Sequence, residues 1–293
     1  MVRNLPYTGD ISTKCELWKE RLLSVGSDKR LPAFDLYQGD YWANIRRMVG
    51  AVQTKSCIDV RLWIASAGCG LICPSTLIPP YSATFAPYGA DTVSSEIGEL
   101  RQWWKLLSSI RIGNEAHRSI SGLASEDPES LLLVTGSPAY LQAMADDLQQ
   151  AVSKIRHGAN LTILCRRGAL PGELEQFKVH LTANMRSVVG GALISLSARV
   201  LAWLVCNHPL ALNRPGIETA LRQLNMDSGE FVVPKRKRAT DEEIKDFISD
   251  RIEEDIRVSR SSVLTAFRRS GNAAEEKRFQ MLFREVKEKV NVA

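Results

Sequence analysis

The segment ESLLLVTGSPAYLQAMADDLQQAV, from Glu129 to Val152, does most to restrict the folds open to this chain. Its apolar run is strand-length and stops at Gly136-Ser137-Pro138,. Ser137 is suited to cap a helix, and Pro138 suits the first helical position, where a missing N–H breaks no hydrogen bond. Apolar residues then recur at helical spacing, so the segment reads as one strand–turn–helix unit. NLTILCRR supplies a further strand, EQFKVHLT a fourth, and ISLSARVLAWLVCNH a further helix. Such alternation predicts an α/β fold with a mostly parallel or mixed sheet flanked by helices. In sheets of this kind ligands bind in a crevice at the carboxyl ends of the strands.

The first hundred residues read as an earlier β/α unit. A helix is expected from about Tyr41, with Trp42, Ile45, Met48 and Val49 on one face,. CIDVRLWIAS then reads as a buried strand ending at Ser66,. The following stretch, SAGCGLICPSTLIPPYSATF, reads as a loop, its prolines excluding continued strand or helix,. Ser94 or Ser95 is expected to cap a helix through SSEIGELRQWWKLLSSI,.

From about Val233 the composition changes to a charged, helical stretch without internal proline. The expected division is an α/β domain over residues 1–232 and a basic linker with a helical, helix-turn-helix-like module over 233–293. Thr240 with Glu243 forms a capping box for its first helix. Ser261 or Ser262 begins a second helix that stops at Gly271, and a third runs from about Ala273 to Val290,. From Lys235 onward there are 15 Lys and Arg against 12 Asp and Glu, within a whole-chain net charge of +5. A balance of that size permits an anionic partner without requiring one, so placement matters more than total. Pro234 is followed by Lys235, Arg236, Lys237 and Arg238, and Arg251, Arg257, Arg260, Arg268 and Arg269 follow on the helices. The run reads either as a phosphate-contacting arm or as a solvated linker.

Six cysteines are scattered along the chain: Cys15, Cys57, Cys69, Cys73, Cys165 and Cys206. A secreted disulfide scaffold would be shorter and denser in cysteine, so reduced thiols and a cytoplasmic location are expected. The longest apolar stretch contains Arg199 and is too short to span a bilayer, so no membrane partner is expected,. Cys69 and Cys73 lie four apart with no second pair, and His117, His157, His180 and His208 form no ligand motif. Neither a metal nor a cofactor is expected. Cys69 reads either as an activated thiol at a strand end or as a small side chain filling a turn. Gly190-Gly191 is expected to admit a close approach of backbone or ligand.

Taken together, LPAFDLYQGDYW, a strand, and then SAGCGLICPSTLIPPYSATF resemble the YaaA-like superfamily and its relatives among domain-of-unknown-function families. Pro32, Ala33, Leu36, Tyr37, Gly39, Ser66, Ala67, Gly70, Leu71, Pro80 and Tyr81 carry the resemblance. GSPAYL, GGALISLSARV and SVLTAFRRSGNAAEEKRF look like further parts of the same pattern. The resemblance implies double-stranded DNA as partner, bound by an α/β body with helical additions. Some relatives belong to clusters that place 7-deazaguanine bases in DNA, which implies a modified guanine as target and partner proteins of a modification cluster. The implied activity is hydration of the nitrile of 7-cyano-7-deazaguanine in DNA to the 7-amido form. The alternative is a non-enzymatic DNA-binding protein of the same superfamily, in a stress or phage-defence role. Many relatives carry another residue where this chain has Cys69, so no catalytic role transfers to that position.

Hydrating a nitrile needs a nucleophile at carbon and a proton for nitrogen. Cys69 or Cys73 would serve a thiolate route, Asp91 or Glu96 would activate water instead, and Tyr81 would donate the proton or stack on the base. Tyr37 and Trp42 suit stacking on an extruded base, with Ser66 and Gly70 in the wall of its crevice. Lys235, Arg236, Lys237, Arg238, Arg268 and Arg269 are the expected phosphate contacts.

Overall fold

A computed structural model describes residues 2–5, 9–53, 58–110, 119–166, 168, 170–230, 235–255 and 258–292. Cys57, His117, Pro234 and Arg257 lie outside the described residues. The chain forms two compact units, Met1–Phe231 and Val232–Ala293.

The first unit begins with α1 (Ile11–Leu23), whose Asp10 side chain accepts from the Thr13 N–H. A two-residue strand β1 (Leu31–Pro32), a single turn α2 (Ala33–Leu36) and α3 (Asp40–Gln53) follow. The expected strand through CIDVRLWIAS is shorter than its apolar run. Only β2 (Ile64–Ser66) forms a ladder, and its partner is the next strand, β3 (Gly70–Ile72), in antiparallel register. The loop reading of SAGCGLICP is therefore corrected to a tight hairpin. Gly70 at φ +74° closes the turn, a conformation a side chain would disfavour, and the prolines come only after β3,. β4 (Leu77–Ile78) returns to pair with β1.

Next come α4 (Ile97–Leu107) and α5 (Ile120–Glu126). Glu96, one residue beyond the two serines, occupies the cap of α4, while Ser94 Oγ accepts from the Glu96 N–H at 3.0 Å. β5 (Leu132–Thr135) leads into α6 (Pro138–Ala143), with Pro138 in its first turn, and α7 (Ala145–Val152). What reads as one helix is thus two, divided at Met144, and Ser137 stands at the cap position without a side-chain cap bond. β6 (Leu161–Cys165) and β7 (Lys178–His180) complete a three-stranded parallel sheet in the order β5-β6-β7. α8 (Arg186–Val189), α9 (Leu196–Asn207) and α10 (Arg214–Met226) close the unit.

Every residue of β6 is buried, as a parallel strand covered on both faces requires,. Alternation distributes its side chains: Leu161, Ile163 and Cys165 join one core with Trp18, Trp103 and Leu148, while Leu164 joins a second with Ile45, Leu204 and Leu221,. The architecture is therefore mixed α/β, with helices on both faces of a small parallel sheet and separate antiparallel strand pairs beside it. Among the described residues no single helix is long and apolar enough to cross a membrane.

The second unit is a helical module around its own core of Ile244, Ile248, Phe267 and Phe279. It contains β8 (Lys237–Arg238), α11 (Asp241–Glu254), α12 (Arg260–Arg269), β9 (Asn272–Ala273) and α13 (Glu276–Val292). The Thr240–Glu243 capping box is present. Ser259, not Ser261 or Ser262, caps α12 by accepting from the Ser262 N–H. The basic run is not a loose linker at its end, since Lys237 and Arg238 pair in parallel with Asn272 and Ala273.

Candidate functional site

The β2–β3 hairpin carries a buried turn, Ala67-Gly68-Cys69, whose polar backbone groups need partners away from water,. Trp18 on α1 donates its indole N–H to the Gly68 carbonyl at 2.7 Å, and Trp103 on α4 donates to the Ala67 carbonyl at 2.8 Å. The hydroxyl oxygen of Ser66 accepts from the N–H groups of Gly68 at 3.3 Å and Cys69 at 2.9 Å.

Those two bonds settle the direction of the Ser66 hydroxyl. Ser66 Oγ lies 2.6 Å from Tyr81 Oη, which lies 2.6 Å from Tyr37 Oη. A hydroxyl has one proton and two lone pairs, and both lone pairs of Ser66 are occupied by backbone donors. Its proton therefore goes to a phenol oxygen, and Tyr81 and Tyr37 share a further bond in which either can be the donor,. Burial raises the pKa of Tyr37, and raises that of Tyr81 well above the ordinary phenol value, so both are held as neutral donors,.

Tyr37 is itself fixed from α3. The Arg46 guanidinium donates to the carbonyls of Phe34, at 2.8 Å, and Tyr37, and Trp42 stacks on the Tyr37 ring at 4.7 Å and 16°. The relay opens onto a cavity of about 1070 Å³ bordered by β2, α3 and the carboxyl end of β5. Apolar and aromatic walls carry a few polar groups, the usual character of a small-molecule site. Tyr41, Thr135 and Ser197 add further hydroxyls to the cavity lining. Arg166, the residue after β6, also lines the cavity and donates to the Leu193 carbonyl at 3.2 Å.

Tyr37, Trp42, Ser66 and Tyr81 thus meet at one cavity, while Gly70 lies outside its lining and serves the hairpin turn. Cys69 is fully buried, and neither it nor Cys73 borders the cavity. Asp91 sits in the segment that pairs with Thr84, and Glu96 is an exposed helix cap; neither lines the cavity. Trp103 and Trp104 are buried. In the second unit Lys235, Arg236, Lys237, Arg238 and Arg269 are exposed. Lys237 pairs with Glu243 at 2.8 Å, Arg236 donates to the Arg268 carbonyl at 3.2 Å, and Arg268 donates to the Ala274 carbonyl at 3.1 Å. Arg268 therefore braces the helix end, leaving the others as the surface cations of the set. Among the described residues no three His, Cys, Asp or Glu side chains gather as a metal site would require.

Tyr41, Thr135, Arg166 and Ser197 are cavity groups that sequence reading passes over. Thr135 and Arg166 each stand where a parallel strand ends, the position at which such sheets present ligand contacts, and that was the available signal,.

Beside the cavity, Arg199 on α9 pairs with Asp40 at the start of α3 at 2.5 Å, and Ser195 donates its hydroxyl to the same carboxylate. The Ser195 and Arg199 bonds hold the Asp40 carboxyl below its ordinary pKa. The close approach at Gly191 is made by this side chain rather than by backbone or ligand as expected: a Cβ on Gly191 would stand 2.0 Å from Arg199 Nε, and the backbone there has φ +73°. Gly191→Ala is therefore expected to destabilise the first unit by about 1–3 kcal/mol, read as a lower urea midpoint.

No protein-family model matches the chain, and no curated protein or solved structure matches it.

Proposed function

We propose that this chain hydrates the nitrile of 7-cyano-7-deazaguanine in double-stranded DNA to the 7-amido form, as a cytoplasmic DNA-modifying enzyme. The resemblance to the YaaA-like superfamily, and within it to DpdC, supplies the substrate. The observation that carries the reading is the group of three bonded hydroxyls, Ser66, Tyr81 and Tyr37, at the wall of an aromatic cavity roomy enough for a nucleotide. An enzyme acting on a duplex base must take it out of the stack into such a pocket.

In this reading Tyr37 donates to the nitrile nitrogen and draws electron density from its carbon. A water oxygen then bonds to that carbon, a proton arrives on nitrogen, and tautomerisation gives the amide, with net addition of one water. Tyr81 and Ser66 orient the donor, and the proton released by the attacking water returns to Tyr37. The thiolate route finds less support, because Cys69 is enclosed and Cys73 does not border the cavity. The second unit, read as a helix-turn-helix-like module, holds phosphates through Lys235, Arg236, Lys237, Arg238 and Arg269,.

One observation favours the second reading, a DNA-binding protein that retains the base unchanged: the proposed carboxylates Asp91 and Glu96 stand off the cavity. Incubating duplex DNA carrying the cyano base with the protein and digesting it to nucleosides separates the two. The enzyme yields the amide, and Cys69→Ala yields it at close to the parent rate. Binding without amide leaves only the second reading, and an inactive Cys69→Ala that still folds would restore the thiolate route.

A further inference from the structure

Ile194 is 87% exposed and yet borders the cavity, which places it at the mouth. Single exposed apolar residues are common on protein surfaces and need no explanation by themselves. Tyr88, Leu210 and Met226 are exposed to a similar degree here, but none of them borders the cavity. What sets Ile194 apart is its support. It occupies the single turn Leu193–Ser195 just before α9. Arg166 holds the carbonyl before it, at Leu193, from the end of β6. Ser195 after it is fully buried and bonds through its hydroxyl to Asp40 and, at 3.0 Å, to the Ala192 carbonyl. Arg199 ties the same Asp40 to the Val189 carbonyl, bracing the segment that enters the turn. Four polar side chains, Arg166, Ser195, Asp40 and Arg199, thus fix the turn around a branched aliphatic residue that is itself exposed.

An exposed apolar side chain costs free energy in water, and bracing the turn around it leaves that exposure unrelieved. Proteins that kink or open DNA use apolar wedges in this way: the side chain enters between base steps and offsets part of the cost of unstacking. A nucleotide drawn into the cavity would leave a gap in the duplex directly opposite the cavity mouth.

We propose that Ile194 is a positioning residue that fills the gap left by the extruded nucleotide. This rests on the reading of the cavity as a base pocket, and it predicts a dependence on duplex structure that the pocket alone does not.

The test compares the full-length protein with Ile194→Ala and Ile194→Leu on the cyano base in duplex and in single-stranded oligonucleotides. Ile194→Ala should lower duplex conversion by about tenfold or more, leave single-strand conversion unchanged, and be rescued by Ile194→Leu. Equal duplex conversion by the parent and Ile194→Ala overturns the proposal. A parallel measurement uses duplexes carrying 2-aminopurine, whose fluorescence rises when it leaves the stack. The parent should raise that signal and Ile194→Ala should not; no rise with the parent, or an equal rise with both, also overturns it. If neither DNA form is converted while the fluorescence difference persists, the assignment of the reaction fails and the wedge stands.

Discussion

Tyr37→Phe is expected to lower amide formation by about 10²–10⁴-fold, the range spanned by a positioned general acid. Phe keeps the ring that stacks on Trp42 at 4.7 Å, so the pocket wall survives and only the phenol hydroxyl is lost. The effect should fall on kcat with KM little changed, as for an interaction made mainly in the transition state. Tyr81→Phe should act in the same direction by leaving Tyr37 unoriented. Because burial raises the pKa of Tyr37 above its ordinary value of 10.0, the group stays protonated at least to that pH,. The rate should therefore show no loss from deprotonation of this group between neutrality and pH 10. A Tyr37→Phe protein converting the base at the parent rate would remove the relay from the mechanism.

The second large effect concerns stability. Asp147 on α7 is 8% exposed, and its carboxylate accepts from the Trp104 indole at 3.0 Å and from the N–H groups of Ile120 and Ser121, each at 2.9 Å. One side chain thereby caps the start of α5 from another helix and fixes α4 against α7. Asp147→Ala leaves three largely buried donors without this acceptor, at a cost on the order of 3–5 kcal/mol. Domains of this kind have about 5–15 kcal/mol in all, so the loss should appear as a large fall in the urea midpoint at unchanged m. Asp147→Asn retains one carbonyl oxygen and should lose less. A midpoint within error of the parent would show that these bonds contribute little beyond what water supplies.

The parts of the fold legible in the sequence were those in which local chemistry and burial agree. NLTILC becomes a parallel strand because its apolar run is covered on both faces, LLVT pairs beside it half-buried at the cavity wall, and the Thr240–Glu243 box forms because its bonds are local. The β2–β3 hairpin was harder to see. Its turn is buried, without the exposed polar residues that usually mark one, and its partners are indoles far away in sequence. The helix through Ala139–Val152 conceals its break at Met144, since the apolar spacing runs on across it. Tyr37, Trp42, Ser66 and Tyr81 could be selected from their residue types and strand-end setting. The enclosed position of Cys69 could not, because a cysteine in a Gly-rich turn looks alike whether the turn faces water or two tryptophans.

That dependence on two tryptophans has a consequence for the order of folding. The carbonyls of Gly68 and Ala67 are satisfied by residues 50 positions earlier and 36 positions later. A hairpin normally forms early from contacts between chain neighbours, but this one gains its turn only when α1 and α4 have both docked. Loop closure over such distances is slow relative to local structure, and its entropy must be met before the contacts repay it. Ser66, and with it the alignment of Tyr81 and Tyr37, should thus be among the last features to acquire native geometry during refolding.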